Sequence, residues 1–116
     1  MIEPVKIPLQ QILKEVQQRL QKTYHSRLKQ LMLYGSWALK EQHAESDIDI
    51  LVVLDHLTSR YEEIKKINEA IHSIALKYNL VISAIPMSSE YFSRYQRTAF
   101  IQNVLEEGIP LYEARA

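Results

Sequence analysis

"LYGSWALKEQHAESDIDILVVL", residues 33–54, decides how this chain is read. It holds one of only two glycines in the protein, Gly35, followed at once by Ser36. After ten intervening residues come Asp47 and Asp49, one residue apart, at the head of an apolar run. In an extended strand residues two apart point to the same face, so these carboxylates project side by side with Ile48 turned away. Two ionised carboxylates that close repel each other unless a cation lies between them. Carboxylate oxygens are hard ligands, and Mg2+ takes one or two of them while leaving positions for water and substrate phosphates. Gly35 supplies a complementary half, because glycine lets the backbone turn sharply and brings main-chain N–H groups close to a ligand. A short helix opening at Ser36 would add its amides and the Ser36 hydroxyl as an anion site. Asp-x-Asp alone and Gly-Ser alone are common turn chemistry; their combination at this spacing points to a metal and a phosphate in one cleft.

Working outward, Leu9, Ile12, Leu13, Val16 and Leu20 fall at helical spacing, and Pro8 suits the first turn of that helix, which runs to about Tyr24. "LKQLMLYG" and "DIDILVVLD" read as strands, the second buried on both faces beyond Asp49. Ser59 caps a long amphipathic helix to about Tyr78, carrying Tyr61, Ile64, Ile67, Ile71, Ile74 and Ala75. "LVISAIP" is a third strand closed by Pro86. Ser88 or Ser89 caps one or two helices that stop at Gly108, and "IPLYE" is an extended tail that either pairs with a sheet edge or simply packs. The order predicts an α/β (α+β) fold: a small mixed sheet of about three to four strands flanked by helices, a single domain over residues 1–116.

The composition narrows the function classes. Hydrophobic residues make up 47% and charged ones 24%, the balance of an ordinary folded domain. Lys+Arg and Asp+Glu are equal at 14, so no global field draws the chain to nucleic acid or an anionic membrane. With no cysteine there are no disulfides and no thiolate metal sites, and the chain carries neither a signal peptide nor an 18-residue apolar span, so the expected location is the cytoplasm. His25, His43, His56 and His72 lack the spacing of a zinc site. Lys65, Lys66, Arg94 and Arg97 read as a solvated face, and Tyr91, Phe92, Tyr95 and Phe100 as core or as an interface.

Gly35-Ser36, ten residues, then Asp47-Ile48-Asp49 leading into a Val/Ile/Leu strand resembles the signature of the DNA polymerase β-like nucleotidyltransferases. More narrowly, the chain resembles the minimal nucleotidyltransferase (MNT) family nearly end to end, through "LYGSWAL", "SDIDILVVL", "LVISAIPMSSEYF" and "NVLEEGIPLYE". The resemblance implies a polymerase β palm-like fold, with Gly35 and Ser36 binding the triphosphate of ATP and Asp47 and Asp49 holding Mg2+. Proteins of this size in the family are often encoded beside a HEPN ribonuclease toxin and act as its antitoxin in HEPN/MNT pairs, transferring AMP from ATP to a tyrosine hydroxyl of that toxin. Such a toxin is therefore the expected partner, with no membrane and no direct nucleic-acid binding expected.

Two departures from the family pattern matter. Family members often carry a basic residue and a glycine just after the serine; here the segment is Trp37-Ala38-Leu39-Lys40, which leaves Lys40 as the nearby cation for phosphate. Many superfamily enzymes place a third carboxylate on the next sheet strand, where this chain offers Ser83. Loss of a general base commonly costs about 10² to 10⁴ in rate. Phosphoryl transfer nevertheless rests mainly on positioning and charge stabilisation, so a two-aspartate enzyme remains workable. The alternatives are a weak or inactive antitoxin that acts by binding alone, and a nucleotidyltransferase for a small-molecule or RNA acceptor.

Overall fold

The computed structural model describes residues 8–40 and 47–115. The chain forms α1 (Leu9–Tyr24), a 3-10 turn (His25–Arg27), β1 (Leu28–Tyr34), α2 (Ser36–Leu39), β2 (Ile48–Leu54), α3 (Arg60–Tyr78), β3 (Ile82–Ser88), α4 (Ser89–Arg94), α5 (Ala99–Glu107) and β4 (Ile109–Glu113). The strands make one sheet in the order β3-β2-β1-β4. β1 is antiparallel to both β2 and β4, while β2 and β3 are parallel, so the sheet is mixed as the sequence predicts. The parallel pair is joined through α3, the crossover that parallel strands require.

Strand alternation divides the core between two faces. Leu31 and Leu33 of β1 and Ile48, Ile50, Val52 and Leu54 of β2 point to one face. There they meet Ile12, Val16 and Leu20 of α1 and Ile67, Ile71 and Ile74 of α3, every one buried. Met32, Leu51 and Val53 point to the other face and are covered by Phe92 of α4 and Ile101 and Val104 of α5. β2 is buried on both faces beyond Asp49, which accounts for its unbroken apolar run.

Three details differ from the sequence reading or resolve it. Pro86 does not close β3; it lies inside the strand opposite Val52. β3 is an edge strand, where a residue without an N–H removes no hydrogen bond that a further strand would need. The region after Ser88 is two helices, with α4 capped by the Ser88 side chain, which accepts from the Tyr91 amide at 3.1 Å. The "IPLYE" tail is a fourth strand on the free edge of β1, with Leu33 opposite Ile109 and Gln30 opposite Glu113.

Candidate active site

The turn between β1 and α2 is held by one residue with two constraints on it. Gly35 has φ +77, in the left-handed region, and a Cβ built there would fall onto the Oδ2 oxygen of Asp49 and lie 3.2 Å from its Cγ. Its carbonyl accepts from the amides of Ala38 at 3.1 Å and Leu39 at 3.2 Å, so it opens α2. Ser36 is the first residue of that helix, where N–H groups have no intrahelical acceptor. Trp37, buried with the α1 and α3 side chains, anchors the short helix to the core and so fixes Ser36.

Asp49 lies in the middle of a row across the sheet. β1 places Tyr34 directly opposite it, and β3 places Ser83 opposite it on the other side. The Ile48 amide donates to the Val81 carbonyl at 3.0 Å and ties down the start of β2, immediately after exposed Asp47. Burial pushes the Asp49 carboxyl above its ordinary range, and the negative charge of Asp47 pushes the same way. Burial and then the Asp49 charge push the Tyr34 phenol up to about 12, so it stays a neutral ring beside the carboxylates at physiological pH. Among the described residues no lysine, arginine or histidine forms an ion pair with Asp47 or Asp49.

The structure therefore brings Gly35, Ser36, Asp47, Asp49 and Ser83 to one end of the sheet, on the face that α4 and α5 cover further along. Lys40 stands at the far end of α2, exposed and in a left-handed conformation. His43 lies outside the described residues. Tyr34 escaped the sequence reading although it directly precedes Gly35, because its place beside Asp49 follows from the antiparallel register. Its ring takes the edge-to-face contact of Phe100 on α5, with centroids 5.3 Å apart.

The donor set suits a hard divalent cation. The charges of Asp47 and Asp49 act on each other with no ion-paired cation among the described residues, and the missing Cβ of Gly35 lets the Asp49 carboxylate pack directly against the turn. No cluster of three or more acidic or histidine ligands occurs among the described residues, so a metal here would complete its shell with water and substrate oxygens.

A mixed sheet that presents a glycine-serine turn against an Asp-x-Asp strand is the arrangement of a nucleotide-transferring domain. Residues 14–116 match the family described as Polymerase beta, Nucleotidyltransferase, and this chain belongs to that family. It is 38% identical over 100 residues to a Methanocaldococcus jannaschii protein named "Putative protein adenylyltransferase MJ0604", across 86% of this chain and 94% of that protein. A second protein of that organism under the same designation, MJ0141, is 27% identical over 99 residues, across 85% of this chain and 94% of its own length. The fold is shared with a chain of a toxin-antitoxin crystal structure with AMP-PNP, at TM-score 0.62 and 21% identity over 89% of this chain and 74% of the other. It is also shared with a chain of the tri-AMPylated Shewanella oneidensis HEPN toxin in complex with MNT antitoxin, at TM-score 0.58 and 18% identity, covering 90% and 72%. The resemblance read from Gly35-Ser36 and Asp47-Ile48-Asp49 thus holds for family and fold, and the chain is a nucleotidyltransferase domain.

Proposed function

We propose that this protein transfers AMP from ATP to a hydroxyl of a partner protein, a tyrosine of a HEPN-type toxin, and so acts as its antitoxin. The observation that carries the reading is the closeness of the Gly35 turn to the Asp49 carboxylate, with Asp47 alongside. It is supported by the 38% identical relative named as a protein adenylyltransferase and by the fold shared with a chain of an AMPylated HEPN toxin complex.

In this reading Asp47 and Asp49 hold Mg2+, which neutralises phosphate charge when bound. The Gly35 turn, with the Ser36 amide and hydroxyl, receives the triphosphate tail, and Lys40 lies one helical turn away to contribute charge. The acceptor hydroxyl oxygen forms a bond to the α-phosphorus, the bond from that phosphorus to the bridging oxygen breaks, and pyrophosphate leaves. The hydroxyl proton passes to water, because Ser83 is no base at neutral pH. A phenolic acceptor suits this site, since its proton leaves more readily than that of an alcohol. Asp47→Asn or Asp49→Asn then abolishes AMP transfer to the toxin while the protein stays folded, measured by intact-mass spectrometry and circular dichroism. Transfer that survives both substitutions would refute the assignment.

A second reading rests on the serine in the β3 position opposite Asp49, where many superfamily enzymes carry a carboxylate. It makes the protein an antitoxin that works by occupancy alone. Neutralisation of the toxin by substoichiometric protein in the presence of ATP would exclude it.

A further inference from the structure

Asp49 has unlike neighbours on its two sides. On the β3 side stands Ser83, small and polar; on the β1 side stands Tyr34, and beyond it Phe100. Tyr34 and Phe100 meet edge to face at an interplanar angle of 85°, so Tyr34 holds Phe100 by its edge contact while the Phe100 side chain keeps substantial exposure, with the residue at 40%. Phe100 sits in the first turn of α5, and its neighbour Ile101 is 1% exposed, which fixes the helix to the sheet and hence the ring against Tyr34. An exposed aromatic ring so placed contributes little to the core beneath it. It is linked to the carboxylates through Tyr34, which stands opposite Asp49 in the sheet and directly precedes Gly35.

We infer that Phe100, steadied by Tyr34, is the stacking platform for the nucleobase of the bound nucleotide. The inference rests on the nucleotidyl-transfer reading and deepens it. With the triphosphate tail on the Gly35-Ser36 turn and the α-phosphate at the Asp pair, the nucleoside leaves the carboxylates along one of two flanks. The Ser83 flank has to stay clear for an incoming hydroxyl, and Ser83, the described residue opposite Asp49 there, has no π surface. The Tyr34–Phe100 flank offers one. Base–aromatic stacking is tolerant of base identity, because every base has a π face. Phe100 is thus a positioning residue that sets nucleotide affinity more than the choice between purines.

The test compares the binding of Mg·ATP and of Mg·tripolyphosphate, which has no base, to the wild type, Phe100→Leu and Phe100→Trp by calorimetry. Leucine keeps apolar bulk against Tyr34 and loses the ring, and circular dichroism confirms that each variant is folded. The expected result is a Phe100→Leu affinity for Mg·ATP about tenfold weaker than wild type, restored in Phe100→Trp, with tripolyphosphate affinity the same in all three. With saturating ATP, kcat for transfer is retained in Phe100→Leu, while KM for ATP rises. Equal ATP affinity in wild type and Phe100→Leu would overturn the inference and leave the transfer reading intact, as would an equal loss for both ligands. A raised KM for the protein acceptor with ATP affinity unchanged would assign the ring to the acceptor and overturn it too. A wild type that binds neither ligand would refute both the inference and the reading beneath it.

Discussion

Gly35 and Asp49 depend on each other sterically. An alanine at 35 takes on both a left-handed backbone and a methyl group directed at a carboxylate, costing about 1–2 kcal/mol for the backbone alone. Gly35→Ala is therefore expected to lower the melting temperature by several degrees and to displace Asp49, removing transfer activity, as thermal unfolding and an AMP-transfer assay would check. Asp49→Asn behaves oppositely in stability. Burial and the Asp47 charge both disfavour the ionised form of Asp49, so its folded pKa lies above the unfolded one, and ionisation at neutral pH weakens the native state. Asp49→Asn is thus expected to melt at or above the wild-type temperature at pH 7 while losing transfer, and a clear drop in melting temperature would contradict this. The Gly35 turn, the helix start at Ser36 and the placing of Asp47 and Asp49 at the head of β2 were legible in the sequence because each is local geometry: a turn, a helix start and a two-residue period. Tyr34 and Phe100 were not legible as a pair, since their contact joins β1 to α5 across 66 positions of chain, and no short motif encodes that distance.

The elements are held in place at the end of the sheet away from the site. Glu63, in the first turn of α3, is buried; it accepts from the Tyr24 hydroxyl at 2.8 Å and from Arg27 Nη2 at 2.8 Å, tying α3 to the end of α1 and the turn before β1. Arg27 also donates to Asp55 at 3.3 Å and to the His56 carbonyl at 3.2 Å, just after β2. Arg27→Met leaves a buried carboxylate without its cation, and is expected to cost about 2 kcal/mol in chemical denaturation, with transfer activity kept in the molecules that remain folded. Burial raises the Glu63 pKa, but the bonds from Arg27 and Tyr24 and the charges of Arg27 and Lys66 outweigh it and hold the carboxyl below its ordinary value. A carboxyl with a lowered folded pKa adds stability that is present above the unfolded value, about 4.3, and lost as pH falls through the folded one. Melting temperature should therefore fall more steeply from pH 5 to pH 3 in wild type than in Glu63→Gln; parallel profiles would refute the assignment. The helices and inner strands were readable from periodicity and from Ser59, whose side chain accepts from the Glu62 amide at 3.3 Å. The end of β3 was misjudged because Pro86 breaks a strand only where its N–H is needed, and edge position is a property of the sheet rather than of the segment.

At the scale of the molecule, the two faces of the sheet are covered unequally. α1 and α3 close one face along its length, whereas α4 and α5 cover the other and leave Asp47 and half-buried Asp49 reachable at its end. Both edge strands contain a proline, Pro86 in β3 and Pro110 in β4, which discourages further strands from adding to the sheet. In the proposed reading that open end is where transfer takes place, with the acceptor hydroxyl brought to it by the partner protein. The central claim is that this protein turns over a partner rather than merely occupying it. The measurement that tests it most directly is intact-mass spectrometry of the proposed HEPN-type partner, incubated with ATP, Mg2+ and one-hundredth its amount of this protein, with Asp47→Asn in parallel. The account predicts AMP mass increments on most of the HEPN protein and none with the variant. An unmodified HEPN protein in tight complex with wild type would contradict it.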